Sequence, residues 1–147
     1  MISKECLVQE KIQEQITVCL GSSGWSLQNT TAKVAYSEKL LVGHYLLTLG
    51  PVRIAEFTLS PMINCCGICV STQATVCPAF RGRGLGLLLN SLRIDIARFL
   101  GYGLLLCTNI EQNTPQRHIM KKNGWCDIWS FVNPRTQNRV FISCINL

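Results

Sequence analysis

The residues best suited to chemistry lie in one run, Val76-Cys77-Pro78-Ala79-Phe80-Arg81-Gly82-Arg83-Gly84-Leu85-Gly86. Glycines at 82, 84 and 86 leave no Cβ over the turn, so backbone N–H groups can approach a ligand closely. An apolar helical period begins at the end of the run, so the loop opens into a helix N-terminus, where N–H groups are unpaired and the dipole is positive. Arg81 and Arg83 add formal charge. Such a cradle holds an anion, and the anion most simply expected is a diphosphate. The Lys-Ser/Thr of a nucleotide P-loop is missing. A dinucleotide site is excluded too, because the preceding strands read as antiparallel and no acidic residue ends a following strand some 20 residues on.

Nine cysteines are the other chemical feature. The odd count, without an apolar leader in residues 1–15, argues against a complete disulfide framework. Cys65, Cys66 and Cys69 form a Cys-Cys-x-x-Cys cluster, in which Cys66 and Cys69 have zinc-ligand spacing. A zinc site needs four ligands, and no second pair follows; Cys77, His44 and His118 are the nearest further candidates. Small apolar fillers in the strands of a reduced cytoplasmic protein are therefore the expectation, and no metal is expected.

The cradle must be held from both sides. Residues 67–77, rich in Val, Ile, Thr and Cys, read as a strand stopped by Pro78. Residues 84–100 carry Leu85, Leu88, Leu89, Leu92, Ile96, Phe99 and Leu100 at helical spacing, and Gly101 and Gly103 end that helix. A short apolar strand over 104–108 completes a βαβ unit. A second helix is expected over 113–123, capped by Asn113 or Thr114, with Pro115 in its first turn and Asn123-Gly124 at its end. Strands over 125–132 and 139–145 form a terminal hairpin across a turn-rich connection. Trp125, Trp129 and Phe131 recur at period two, which predicts one shared face packed in the core. Upstream, period two also predicts strands over 32–36, 40–49 and 53–59, with Ser37-Glu38-Lys39 as a tight turn and Gly50-Pro51 as a break. Before them, the pattern predicts an amphipathic helix over 4–15, a strand over 16–20 and a glycine-serine loop over 21–24.

A length of 147 residues supports a single domain over 1–147 with one core. With 48% hydrophobic and 15% charged residues, the chain shows the reverse of the disorder signature. Its apolar runs fall short of the roughly 18 residues that a spanning helix needs, so no membrane partner is expected. The net charge of +6 suits an anionic partner without specifying which.

In this order and spacing the pieces resemble the GCN5-related N-acetyltransferases (GNAT). The family's cofactor loop follows Arg/Gln-x-x-Gly-x-Gly/Ala after a Val-x-Pro-like step, and Val76-Cys77-Pro78, Arg81, Gly84 and Gly86 stand in that register. An Asn opening the next helix, with Gly-aromatic about eleven residues later, is matched by Asn113 and Gly124-Trp125. The family's early turn followed by Val-Gly is matched by Ser37-Glu38-Lys39 and Val42-Gly43. The resemblance covers roughly residues 32–145. It implies an α+β fold, a GNAT-like mixed, mostly antiparallel sheet with a central V-shaped splay and flanking helices. It implies acetyl-CoA as acyl donor, its pantetheine arm lying in the V. Main-chain groups at Thr75, Val76 and Cys77 would pair with the arm and polarise the acyl carbonyl. Arg81, Gly82, Arg83, Gly84, Leu85 and Gly86 would hold the pyrophosphate, and Asn113 would reach the pantetheine side. The implied reaction is direct attack of a primary amine on the thioester, with positioning and carbonyl polarisation supplying most of the rate.

Two departures from the family pattern stand out. Many members carry Tyr four residues before the Gly-aromatic pair, where it protonates the leaving thiolate; here that residue is Met120, and His118 lies on another face of the helix. His44, Tyr45 and Glu56 could line the substrate side, with Tyr45 and Glu56 as the catalytic candidates and Glu56 as a general base. The alternatives are packing for Tyr45 and a solvated face for Glu56. The front end, residues 1–30, reads as a shortened helical region on the substrate side, so the acceptor site is open or completed by a second subunit in a homodimer. The acceptor amine is not specified by the sequence. Two other readings stand beside this one. A GNAT-fold enzyme modifying nucleic acid is permitted by Arg93, Arg98, Arg117, Lys121, Lys122, Arg135 and Arg139, but not favoured, because the hairpin aromatics read as core. A degenerate CoA-binding protein without turnover is the other.

Overall fold

The structure, a computed structural model, describes residues 25–34, 41–49 and 51–147. Four strands come first: β1 (Trp25–Val34), β2 (Leu41–Leu49), β3 (Val52–Pro61) and β4 (Ile68–Val76). A short 3-10 turn (Pro78–Phe80) leads to α1 (Leu85–Phe99), β5 (Leu104–Ile110), α2 (Thr114–Lys122), β6 (Cys126–Val132) and β7 (Arg139–Asn146). The strands form one seven-stranded sheet in the order β1-β2-β3-β4-β5-β7-β6. Every neighbouring pair is antiparallel except β4 and β5, which the α1 crossover makes parallel. This is the mixed, mostly antiparallel α+β sheet that the sequence implied.

The central splay is present as well. β4 and β5 pair only at Ile68↔Leu104, Cys69↔Leu105 and Val70↔Leu106, and beyond Val70 the two strands separate. The cause lies on the other side of β4. Gln73 and Ala74 together oppose Phe57 of β3, a bulge with Gln73 at a positive φ of 54. A bulge bends its strand and increases the local twist, which carries the end of β4 away from β5.

The core fills the face of the sheet on which α1 lies. Leu85, Leu89, Leu92 and Ile96 of α1 bury against Leu47, Phe57, Leu59 and Leu105. At Gly86 a Cβ would stand 3.2 Å from Ile119 Cδ1, so the missing side chain is what lets α2 close against α1. Gly43 plays the same part in β2: a Cβ there would fall 2.6 Å from the Tyr45 ring. No helix among the described residues is long and apolar enough to cross a membrane.

Six expectations meet a different outcome or none. Residues 25–30, expected within a shortened helical region, are strand, because pairing with β2 satisfies their backbone. The helix over 4–15, the strand over 16–20, the loop over 21–24 and the turn Ser37-Glu38-Lys39 lie outside the described residues. The hairpin aromatics do not share a core face: Trp125 is buried, but Trp129 is 68% and Phe131 41% exposed. A register shift between Asp127 and Trp129 breaks the period, and β6 is an edge strand of the sheet.

Candidate active site

The glycine loop is built as its composition demands. Gly82 and Gly84 take positive φ of 76 and 80, and Gly84 is the N-cap of α1. A side chain at Gly84 would meet open space, so what glycine supplies there is the left-handed backbone itself. Leu85, the next residue, is buried in the core and fixes where the helix begins. Arg81 Nε donates to the Val76 carbonyl at 3.1 Å, tying the loop to the end of β4. The Arg83 guanidinium stacks 5.4 Å from the Phe80 ring centroid. First-turn N–H groups of α1, flanked by two exposed arginines, can hold a polyanion.

The arm-pairing residues divide. Thr75 is exposed and lies opposite Glu56, on the part of β4 that has left β5. The Cys77 main chain is already engaged: its N–H donates to the Ile54 carbonyl at 2.8 Å and its carbonyl accepts from Phe80 N–H at 2.9 Å. Cys77 Sγ donates to the Arg53 carbonyl at 3.3 Å, so Cys77 anchors the exit of β4 on β3. The bulge at Gln73, held by a 3.3 Å bond from Thr58 Oγ1 to Gln73 Oε1, is the feature that sequence reasoning missed. Nothing in a Gln-Ala step announces a positive φ.

The sheet separates the two catalytic candidates. Tyr45 faces the helices, 2% exposed, stacked on Phe57 with centroids 4.9 Å apart. Burial there pushes its hydroxyl far above the ordinary phenol range. Glu56 faces the other way, half-buried, accepting from His44 Nε2 at 2.8 Å and Arg53 Nη2 at 2.6 Å. His44 and Glu56 are thus brought together, directly across one strand from the splayed end of β4.

On the helix side, Asn113 caps α2, its Oδ1 accepting from Gln116 N–H at 3.4 Å. Met120 is buried, its Sδ 3.9 Å from Cys107 Sγ and 3.7 Å from Asn109 Nδ2, while His118 is exposed. A closed polar ring holds α2 in place. Arg117 donates to Asn109 Oδ1 and to Asp127 Oδ2, both at 3.0 Å, Asn109 Nδ2 donates to Ser143 Oγ, and Ser143 Oγ donates to Asp127 Oδ1 at 2.6 Å. Arg117 also lies 3.6 Å over Phe141. Of this ring the sequence singled out only Arg117, as one of the bases that would permit a nucleic-acid partner. Among the described residues no group of three His, Cys, Asp or Glu is placed to hold a metal ion; Cys66 is exposed and Cys69 buried in the core.

The architecture is that of the GCN5-related N-acetyltransferases. Among solved structures, a GNAT family acetyltransferase from Elizabethkingia anophelis with acetyl-CoA bound superposes with a TM-score of 0.66 at 15% identity, over 86% of this chain and 100% of that one. The ribosomal-protein-S18-alanine N-acetyltransferase from Escherichia coli gives 0.66 at 13%, over 83% and 93%. The yncA protein of Salmonella typhimurium, with acetyl-CoA, gives 0.63 at 18%, over 72% of this chain; this chain spans 65% of the length of yncA. At such identities the likeness is one of fold. No protein-family model and no curated protein matches the sequence.

Proposed function

We propose that the chain is a GNAT N-acyltransferase that moves acetyl from acetyl-CoA to a primary amine. The observation that carries this reading is the juxtaposition of a V between β4 and β5 with a glycine cradle at the start of α1. The pyrophosphate binds at Arg81, Gly82, Arg83, Gly84 and Leu85, the arm enters the V along Thr75 and Val76, and Asn113 flanks it. Main-chain groups of Thr75 and Val76, just past the Gln73 bulge, polarise the acyl carbonyl. The amine nitrogen attacks the thioester carbon, the C–S bond breaks, and its electron pair leaves on sulfur. The amine proton passes to Glu56, directly or through one water, with His44 and Arg53 orienting the carboxylate. Tyr45 is the alternative base, reached only from the helix side. No metal takes part, and the thiols are those of a reduced cytoplasmic protein. Calorimetry with acetyl-CoA tests the reading, and release of free CoA with a panel of primary amines tests turnover. Failure of acetyl-CoA to bind would refute it; binding without turnover on any amine would leave a degenerate CoA-binding protein.

One observation favours the nucleic-acid alternative. Trp129 and Phe131 are exposed on β6, and Arg139 of the neighbouring β7, opposite Val132, donates to Ser130 Oγ of β6. Against it, Arg93 is buried, Arg98 pairs with Asp95, and Arg117 pairs with Asp127, so three of the seven bases are engaged within the fold. Salt-sensitive retention on single-stranded DNA that is lost on Trp129→Ala would promote this alternative.

A further inference from the structure

α1 presents a cation to the closed end of the V. Arg93 is 2% exposed, and among the described residues no carboxylate pairs with it. Its Nη1 donates to Ser71 Oγ at 3.2 Å and its Nη2 to Asn90 Oδ1 at 3.2 Å; Asn90 Oδ1 also accepts from Trp125 Nε1 at 3.0 Å. Two buried donors are left over, Arg93 Nε and Asn90 Nδ2. A buried charge without a counter-ion and two unmet donors are each unfavourable, and native interiors rarely keep them without a partner. The missing partner is an acceptor, and an anion would satisfy the cation as well.

The position of this cluster identifies the acceptor. Ser71 is the β4 residue immediately past the last β4–β5 pair, and Cys107 is its counterpart on β5. Cys107 already lies within the field of Arg93 and against the sulfur of Met120. The crotch of the V is therefore a place where a thiol, a cation and the residue in the family's proton-donor position meet. We propose that Arg93, with Asn90 beside it, is the positive charge that receives the CoA thiolate as it leaves, in place of the proton that Met120 cannot donate. This rests on the acetyl-transfer reading above. When the C–S bond breaks, the electron pair goes to sulfur, the thiolate is held as an anion against the guanidinium, and it takes a proton from solvent on release. A preorganised cation in a dry site requires no reorganisation when the charge develops. The titratable group facing the guanidinium is Cys107 on β5, and Cys107 in turn feels Asp127 on β6, which is held by Arg117 of α2, and Cys144 on β7.

The test is the acidity of the bound CoA thiol, read by its ultraviolet thiolate absorbance across a pH titration, with the desulfo-CoA complex as blank for the protein's own thiols. In the wild type the bound thiol should titrate at least about one unit below the value of about 8.5 expected for a free thiol. Arg93→Met should return it to the free value or above, and Arg93→Lys should keep it depressed. A wild-type bound thiol that titrates with free CoA overturns the proposal, whether or not Arg93→Met folds. So does a depression that survives Arg93→Met. Desulfo-CoA, which lacks the sulfur, should bind wild type and both variants within about threefold. Its failure to bind the wild type would instead overturn the transfer reading, and this inference with it.

Discussion

Glu56 and Tyr45 sit on adjacent strands, yet their side chains face opposite sides of the sheet. A single amine cannot reach both, so the two substitutions should separate. Glu56→Gln should lower kcat by roughly 10²-fold while acetyl-CoA affinity stays constant, the scale of a lost general base. Tyr45→Phe keeps the stacked ring and removes only the hydroxyl, so kcat should stay within a few-fold. The reverse result, measured side by side, would move the base to the helix side. His44 shares the Glu56 carboxylate, and a carboxylate held by two donors is fixed in orientation, which is what a proton acceptor requires.

At the scale of elements, two glycines fix the geometry for different reasons. Gly84 needs its left-handed backbone at the start of α1. Gly84→Val should therefore weaken acetyl-CoA binding by tenfold or more in calorimetry, and lower stability by about 1–2 kcal/mol through backbone strain. Unchanged affinity would mean that the diphosphate binds elsewhere. Gly43 needs no special φ; it needs room, because the Tyr45 ring lies over it. Gly43→Val should destabilise the fold by about 1–3 kcal/mol, the usual scale of overpacking. Adding Tyr45→Leu to that variant should recover part of the loss in denaturant unfolding, since the clash is with the ring. Two independent, additive losses would contradict that origin.

Across the whole molecule, the buried thiols give stability a dependence on pH. Burial pushes Cys107 up to about 11 and Cys69 up to about 12, from about 9 in the unfolded chain. Between those values the unfolded chain has released protons that the folded one retains, so folding loses stability as pH rises. The contribution is fully present below about pH 9 and declines through about pH 11 to 12. Denaturant unfolding measured at steps through that window should show the decline, and Cys107→Ala should flatten its lower part, between about pH 9 and 11. A slope unchanged by Cys107→Ala would place the released protons on other groups.

The sequence by itself determined the parts whose cause is local. The glycine run into an apolar helical period made α1 and its cradle legible, because positive φ and helix dipole are properties of a few consecutive residues. Asn113, Pro115 and Gly124 marked α2 for the same reason. Even the V could be inferred from the joint register of short motifs, although no residue in it spells a splay. Only the tertiary structure decided what depends on neighbours from distant parts of the chain. It put Tyr45 in the core and Glu56 on the open face, since which face of a strand is covered depends on where the helices pack. It exposed Trp129 and Phe131 because β6 came to lie at the sheet edge, with a register shift just before them. It turned Arg93, one of many bases in the sequence, into a buried cation at the crotch of the V. A side chain's charge is written in its residue type, whereas its dielectric surroundings and its missing partner are set only when the chain has folded around it.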